Sequence, residues 1–473
     1  MIVSLICDNY LIYLKIAIYL FIKTDFQMFK KFFISIIIIL SLLILFYSLF
    51  QSEITYEGNR RKFYLLYIIA SLIFILFGFV LFFLNDKMTT MFLIILSSLV
   101  FSIYLFEFYV TYLSINRLDD LNIKKKSEMF KNMSGKNYDT RTKYSYYLNQ
   151  KKNNQNIKID INTVNLLKHN DLEIFPLSGY SNSEVILCNE FGYYKHIKTD
   201  RYGFNNLDDI WDAKKFNYAL IGDSFIEGYC QDEKNTIHYK LTKLFGGNII
   251  NLAQGGAGSL QEYAIILEYL PENTKGLIWF ICDNDIIDLQ KEISNKKLYR
   301  YLLENNSYQN LKLNQNSVDE TFKQIFESEE QLMKKNEFKR FLRLNYLRSY
   351  FHSFLSKKNP SLKIQTKYEF ERYKDFFDIM NNIKKISLDR NIELNVVYLP
   401  TYNYFKDGKY FNKDYKHIIN ILKKLSINYL DLNIEIFDKE KNPQDLFPFG
   451  FYGHYNNYGS DEVSKAIHRF VDK

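Results

Sequence analysis

Ser224 is the residue whose setting most clearly suggests chemistry. It lies in the stretch N-Y-A-L-I-G-D-S-F-I-E-G-Y-C, from Asn217 to Cys230, directly after an apolar run. The run from Tyr218 to Ile221 stops at a glycine without alternating, which predicts a short buried parallel strand. A serine that begins a helix at the carboxyl end of such a strand faces a place where backbone N–H groups meet a developing anion. The pattern suggests a serine nucleophile, although Gly-Asp-Ser alone more often forms an ordinary turn or helix cap.

Three later stretches add to this one. They are N-L-A-Q-G-G-A-G-S-L-Q-E-Y from Asn251 to Tyr263, W-F-I-C-D-N-D-I-I-D-L from Trp279 to Leu289, and the stretch Phe447 to Ile467, which contains F-Y-G-H-Y-N-N-Y-G. With the first stretch they resemble, in order, the four sequence blocks of the SGNH (GDSL-type) hydrolase family. The resemblance extends over about Glu184 to Val471, because C-N-E-F-G-Y-Y and D-R-Y-G-F-N-N resemble a lead-in found in one bacterial branch.

The resemblance implies roles for four residues. Ser224 would be the nucleophile, and His454 would be the base that takes its proton. The backbone N–H groups of Ser224 and Gly256 and the side-chain amide of Asn284 would hold the oxyanion. Each position also has a plain structural explanation: Asn284 as a turn residue, Gly256 as a glycine at a helix start, and His454 as a surface histidine before a helix.

The third member of the triad departs from the family pattern. The family has an aspartate three positions before the histidine, and here that position is Phe451. Either a backbone carbonyl orients His454, or another acid reaches it. Asp445 is the first choice because it belongs to the same loop, and Asp431, just past the fifth predicted strand, is the second.

Alternating strand and helix signals predict the scaffold that positions these residues. We expect a three-layer α/β/α SGNH-hydrolase-like domain over residues 160–473, with a parallel five-stranded sheet. Residues 288–366 form a charged, helix-prone insertion, for which a lid or a partner surface is the hypothesis. The predicted strands are Tyr218–Ile221, Asn248–Leu252, Gly276–Cys282, Leu394–Leu399 and Ile427–Leu430. The predicted helices outside the insertion are Glu262–Leu270, Tyr368–Leu388, Tyr415–Leu425 and Asp461–Phe470.

The first part of the chain has the composition of a membrane segment. Within residues 28–113, three apolar runs are each long enough to cross a hydrocarbon core of about 30 Å and predict an all-α transmembrane segment: Phe32–Phe50, Phe63–Leu84 and Met91–Leu113. Residues 1–27 have three possible explanations: a fourth membrane span, an interfacial helix, or a start codon assigned upstream of Met28. Residues 114–159 are rich in Lys, Asn, Asp and Ser, which predicts a polar linker or short exposed helices.

Composition argues against several other classes of protein. The net charge of +8 comes from scattered Lys and Arg without a basic stripe, so no nucleic-acid partner is expected. The seven histidines and four cysteines have no metal-ligand spacing, and we expect no metal and no cofactor. The cysteines show no disulfide framework; a bridge between Cys230 and Cys282 would be allowed but is not predicted.

The resemblance, together with the apolar membrane segment, implies a membrane-anchored serine esterase that removes O-acyl groups, with acetyl groups expected, from a glycan or a related small ester. One alternative is an O-acyltransferase that moves the acyl group onto a cell-surface polysaccharide and works with a polytopic acyl-donor membrane partner. Another is a catalytically inactive glycan-binding protein. The expected location is the bacterial cytoplasmic membrane, in contact with membrane lipid.

The distribution of charge does not decide on which side of the membrane the hydrolase-like domain lies. With three spans the positive-inside rule leans towards a cytosolic domain, whereas a glycan substrate places the domain outside, and we expect the outside. The cations that weigh in this comparison are Lys30, Lys31 and Lys87 on one side, and Arg60, Arg61, Lys62, Arg117 and Lys124 to Lys126 on the other.

Overall fold

A computed structural model describes residues 30–55, 61–115, 122–161, 163–167, 169, 172–304, 308–345, 347–348, 369–406, 409–410 and 412–472. The chain divides into two compact units, the first ending at Phe108 and the second running from Tyr109 to Lys473. The predictions for residues 1–27 and for the end of the insertion lie outside the described residues.

The first unit contains the predicted apolar helices. Among the described residues, three helices are long and apolar enough to cross a membrane: α1 (Lys30–Ile54), a span within α2 (Tyr64–Phe83 of Arg61–Phe83) and a span within α3 (Asp86–Val110 of Asp86–Ile115). Large apolar side chains on them are exposed, including Leu66, Phe83 and Phe101. Such surfaces are stable in hydrocarbon and costly in water, which supports membrane association.

The second unit is built on a parallel sheet of five strands in the order β10-β7-β6-β4-β5. Each predicted strand overlaps one of them, so the predicted sheet is confirmed. The strands are β4 (Phe216–Ile221), β5 (Ile249–Asn251), β6 (Thr274–Cys282), β7 (Glu393–Leu399) and β10 (Asn428–Asp431). Two minor sheets join β1 (Lys158–Ile159), β2 (Glu184–Ile186) and β3 (His196–Lys198), and β8 (Phe405–Lys406) with β9 (Lys409–Tyr410).

Helices cover both faces of the large sheet, which confirms the three-layer α/β/α fold. Side chains alternate along a strand, so Ala219 and Ile221 of β4 belong to one buried cluster and Leu220 to the other. The first cluster includes side chains of α9 (Ser259–Tyr269), α13 (Glu369–Asp389) and α14 (Tyr415–Lys424). The second includes side chains of α8 (Ile237–Phe245) and α16 (Asn457–Val471).

Shorter helices complete the second unit. They are α4 (Ile123–Ser134), α5 (Lys143–Lys151), α6 (Thr163–Leu166), α7 (Ser224–Glu227), α10 (Asp285–Glu292), α11 (Lys296–Leu303) and α15 (Leu432–Glu435), with the longer α12 (Gln315–Leu342) in the insertion. Val318, Phe322 and Ile325 of α12 are buried in the first cluster. The described part of the insertion is therefore attached to the core, and the lid or partner-surface hypothesis stays a prediction.

The segment expected to be a polar linker is folded into the second unit. It contains α4, α5 and β1, and β1 pairs in parallel with β2. Tyr138, Tyr147 and Ile157 are buried. A few apolar side chains thus anchor a stretch whose overall composition is polar.

Candidate active site

Ser224 begins α7 immediately after β4, as its sequence setting predicts. Asp223 caps this helix, because its Oδ1 accepts the Phe225 N–H at 3.0 Å. The turn before it requires glycine: a Cβ on Gly222 would lie 2.9 Å from Ile226 Cγ1 and 3.1 Å from Phe280 Cβ. The tight strand-to-helix turn presents Ser224 at the carboxyl edge of the sheet.

His454 lies beside Ser224, 230 residues further along the chain. Its Nε2 is 2.8 Å from Ser224 Oγ, a hydrogen-bonding distance. The imidazole packs against Phe225 and Tyr229, with ring centroids 4.7 and 5.5 Å away. The structure therefore joins the two side chains for which the sequence predicts nucleophile and base.

The acid on His454 is Glu190, and this corrects the prediction of Asp445. Glu190 Oε1 lies 3.0 Å from His454 Nδ1, and Glu190 Oε2 accepts the His454 backbone N–H at 2.7 Å. Asp445 is exposed and accepts from Asn442 Nδ2 at 2.8 Å instead. Asp431, the second choice, accepts from Tyr415 OH and caps α15.

Glu190 lies in a stretch that the sequence already singles out, although the resemblance assigns no role to this residue. It is the acid in C-N-E-F-G-Y-Y, the lead-in before the nucleophile strand, and it is 264 residues from His454. Closeness in sequence to His454 and to the end of β10 favours Asp445 and Asp431 instead. Glu190 thus supplies to His454 the carboxylate that Phe451 does not have.

Opposing effects set the pKa of His454. Burial lowers it, while the charge and hydrogen bond of Glu190 and the charge of Asp223 raise it, and the net result is a raised pKa. Burial raises the pKa of Asp223 itself, against hydrogen bonds from Phe225 N–H and the Cys282 thiol. A histidine can act as a base only when neutral, so a raised pKa of His454 would place the acid limb of a reaction that used it above the ordinary histidine value of about 6.5.

The predicted oxyanion donors come from neighbouring strands. Gly256 follows β5 with φ +75°, and Asn284 follows β6 at the start of α10. Because β5, β4 and β6 are adjacent and parallel, these residues and Ser224 emerge at the same edge of the sheet. Asn284 Nδ2 donates one hydrogen to Asp288 Oδ2 at 2.8 Å, and an amide nitrogen carries a second hydrogen that it can donate.

We expect Asn284→Ala to lower kcat by about 10²–10³-fold with little change in KM, because the amide would act mainly on the charge of the transition state. Steady-state hydrolysis of a small ester by the purified full-length protein measures this. Residual turnover should stay above that of Ser224→Ala. A kcat equal to that of the wild type would remove Asn284 from the oxyanion hole.

A disulfide joins Cys188 to Cys230, with Cα atoms 5.1 Å apart, which differs from the expectation of no framework. Cys282 is free and buried, and its thiol donates to Asp223 Oδ1 at 3.1 Å. The bond links the strand-end segment before Glu190 to the turn after the Ser224 helix. Sequence spacing could not reveal this pairing, because it depends on how two distant loops meet.

Replacing both Cys188 and Cys230 by serine should lower the unfolding free energy of the second unit by about 2–5 kcal/mol, because the bond closes a loop over a separation of 42 residues. Tryptophan fluorescence during thermal unfolding reports on this unit, since Trp211 and Trp279 are the two tryptophans of the chain. Reductant should destabilise the wild type and leave the double variant unchanged. Equal melting of wild type with and without reductant would contradict this role.

Two groups of side chains among the described residues are close enough to share a metal ion. The first is Cys188, Glu190 and Cys230, which are the disulfide and the carboxylate on His454. The second is Asp223, Cys282 and Asp285, where the thiol donates to Asp223 and Asp285 Oδ2 accepts the Cys282 N–H at 2.9 Å. Both groups have structural or triad partners that account for them.

Comparison with known proteins gives distant structural neighbours. No protein-family model matches the sequence, and a search of curated proteins finds no significant match. Matching solved structures include a lipolytic protein of the G-D-S-L family from Desulfitobacterium hafniense DCB-2 (12% identity, TM-score 0.30) and the psychrotrophic esterase EstA from Pseudoalteromonas sp. inhibited by monoethylphosphonate (10% identity, TM-score 0.27). Each alignment covers 54% of this chain and 99% of the other. Similarity at this level does not identify the chemistry, which has to come from the side chains.

Proposed function

We propose that this protein is a membrane-anchored serine hydrolase that cleaves O-acyl esters with a Ser224–His454–Glu190 triad. The observation that carries the proposal is the continuous hydrogen-bonded chain from Ser224 Oγ through both imidazole nitrogens to Glu190 Oε1. In this arrangement the acid fixes the tautomer that leaves Nε2 free to accept the serine proton. A protein that only binds a ligand has no need for this order of groups.

The geometry supports a two-stage acyl transfer. As Ser224 Oγ attacks the ester carbonyl, its proton passes to His454 Nε2, and the carbonyl oxygen becomes an oxyanion held by the donors described above. Collapse breaks the ester C–O bond, and the alkoxide leaves with the proton from His454. Water then attacks the acyl-serine, His454 takes its proton, and the carboxylic acid leaves as Ser224 regains its hydrogen.

The substrate proposed is an O-acetylated glycan or a related small ester. Tyr452, two residues before His454, has a side chain that is 60% exposed, and Tyr402 packs edge-on against it with ring centroids 6.3 Å apart. An exposed aromatic ring close in sequence to the base suits the apolar face of a sugar ring. The acetyl group is proposed from the resemblance of the four sequence blocks to the SGNH family.

The Cys188–Cys230 disulfide supports placing the second unit outside the cytosol. Disulfides form and persist in oxidising compartments and are rare in the cytosol. This favours the extracytoplasmic side, against the weak lean of the loop cations towards the cytosol. A multi-pass protein with its hydrolase unit outside is therefore part of the proposal.

The test is turnover of p-nitrophenyl acetate and of an O-acetylated polysaccharide by the full-length protein in detergent, with Ser224→Ala as the blank. Acetate should appear in water in a serine-dependent manner from both substrates. If serine-dependent acetyl groups move onto a glycan acceptor instead, the protein is an acyltransferase. If folded protein shows no serine-dependent turnover with either substrate or acceptor, the hydrolase proposal fails and the glycan-binding alternative stands.

A further inference from the structure

The chain between the third apolar helix and the hydrolase core forms a strap, defined as residues Ile123 to Lys143. It begins with α4, which ends at Gly135 with φ +69°. It then runs to Thr142, whose side chain accepts the Ser145 N–H and caps α5. Its polar composition predicts a tether, yet its contacts lie on the segments that carry the triad.

The strap holds the loop that carries Glu190. The Asn189 side-chain amide donates to the Asp139 carbonyl at 2.6 Å, and the Asp139 N–H donates to the Gly192 carbonyl at 2.8 Å. Tyr138 OH donates to the Asn189 carbonyl at 3.3 Å. The residues on either side of the acid are thus tied to the strap by backbone groups and by a buried tyrosine.

Phe130 of α4 closes the other side of this loop. A Cβ atom on Gly192 would lie 2.6 Å from the Phe130 ring, so glycine permits direct ring-on-backbone contact. The ring also packs edge-on against Tyr138 at 5.8 Å and against Phe449 at 6.4 Å. Phe449 lies in the loop that leads to His454, so one side chain bridges the loop of the acid and the loop of the base.

The strap reaches His454 from a second direction. Lys143 Nζ donates to Tyr229 OH at 3.0 Å, and Tyr229 OH donates to Asp160 Oδ2 at 3.0 Å. The Tyr229 ring packs on the imidazole at 5.5 Å. The same segment therefore supports the acid on one side and the histidine ring on the other.

We propose that the strap is a positioning element of the triad, with Phe130, Tyr138 and Asp139 holding Glu190 within hydrogen-bonding distance of His454. The proposal rests on the proposed function. Glu190 lies on a loop, and a catalytic group on a loop keeps a productive geometry only when its supporting contacts lock it there. A fragment that begins at Asp160 would lack this support, although it contains every residue of the triad.

The test compares Phe130→Ala with Met133→Ala in the full-length protein. Met133 is on the same helix but is 77% exposed, so its loss removes apolar atoms without touching the acid loop. Phe130→Ala should lower kcat about 10–100-fold with little change in KM, because a shift of about 1 Å in a catalytic group is that costly. Met133→Ala should match the wild type, and Phe130→Tyr, which keeps the ring, should recover most of the rate.

The pH profile separates positioning from a general loss of structure. Glu190 raises the pKa of His454, Asp223 acts in the same direction, and burial opposes both. If Glu190 moves away, the acid limb of kcat/KM should move to lower pH, which is also the direction expected for Glu190→Gln. Tyr138→Phe, which removes the hydroxyl that donates to the Asn189 carbonyl and keeps the ring, should give a smaller shift in the same direction with an unchanged melting temperature.

The outcomes distinguish the two proposals. If Ser224→Ala abolishes turnover while Phe130→Ala and Tyr138→Phe keep the wild-type kcat and acid limb, the strap has no positioning role and the hydrolase stands. If Ser224→Ala retains full turnover, the proposed function fails and the strap proposal falls with it. A rate loss in Phe130→Ala with an unmoved acid limb would also overturn the positioning role.

Discussion

Replacing Ser224 by alanine is expected to reduce ester hydrolysis about 10⁴–10⁶-fold, because the covalent route is lost while the oxyanion donors remain. Ser224 Oγ is the atom that His454 Nε2 faces at 2.8 Å, and no other hydroxyl of the described residues has such a bond to this nitrogen. Turnover of p-nitrophenyl acetate by the wild type and the variant, purified in the same detergent, gives the ratio. Labelling with a fluorophosphonate should disappear in parallel.

Ser464→Ala is the matched control for this change. Ser464 is buried whereas Ser224 is half-buried, and the Ser464 hydroxyl has no hydrogen-bond partner among the described residues. Removing an unpartnered buried hydroxyl leaves no partner unsatisfied, so rate and melting temperature should stay near those of the wild type. Loss of activity in Ser464→Ala as large as in Ser224→Ala would mean that the assay follows folding instead of chemistry.

The nucleophile and the sheet were predictable because their signals are local. The strands β4, β6 and β7 are short apolar runs, and such a run bounded by turn residues is typical of a buried parallel strand. The place of Ser224 follows from the apolar run of β4 and the glycine after it, whereas its role as nucleophile is implied by the resemblance of four sequence blocks. The roles expected for Gly256 and Asn284 come from the resemblance of their sequence blocks; the parallel strands explain only why both residues lie at the same edge of the sheet as Ser224.

Glu190 could not be assigned in the same way because its role depends on a contact over 264 residues. A family pattern places the acid close to the histidine in sequence, and that pattern points to Phe451, which has no carboxylate. Asp445 then becomes attractive only because it is near in sequence. Glu190 lies near the start of the hydrolase domain and His454 near its end, and folding brings the two loops into contact.

The strap was missed for a different physical reason. Its composition is dominated by polar side chains, so the average polarity of the segment does not reveal the few aromatic residues that attach it to the domain. Phe130 and Tyr138 are two aromatic residues whose rings pack edge-on at 5.8 Å, and they fix a long polar segment. Composition measures how much surface a segment can bury, whereas attachment depends on where a few side chains lie.

Exchanging Glu190 for glutamine should reduce kcat/KM about 10²–10⁴-fold, while Asp445→Asn should leave it near the wild-type value. The two substitutions are matched, since each replaces a carboxylate by its amide. Glutamine keeps the shape of Glu190, but its neutral amide does not stabilise the imidazolium or enforce the required tautomer. Asp445 contacts Asn442 and is exposed, so its charge has no path to His454 through a hydrogen bond.

The pH dependence of kcat/KM provides a second comparison of the two variants, because the direction in which the acid limb shifts is also predicted. Glu190 is one of the groups that raise the pKa of His454, so its neutralisation should move the acid limb of kcat/KM to lower pH even as the plateau falls. Asp445→Asn should leave the limb in place. A variant that was merely misfolded would lose amplitude without this shift.

The opposite result would identify a different site. If Asp445→Asn were impaired and Glu190→Gln were not, the loop before α16 would have to rearrange so that Asp445 replaced Glu190 on Nδ1. That rearrangement would also break the bond from the His454 N–H to Glu190 Oε2, which ties the backbone of the base to the same carboxylate. Among the described residues, Glu190 alone contacts both the ring Nδ1 and the backbone N–H of His454, so a second acid is not needed to orient the ring. The loss of kcat/KM is therefore expected from Glu190→Gln and not from Asp445→Asn.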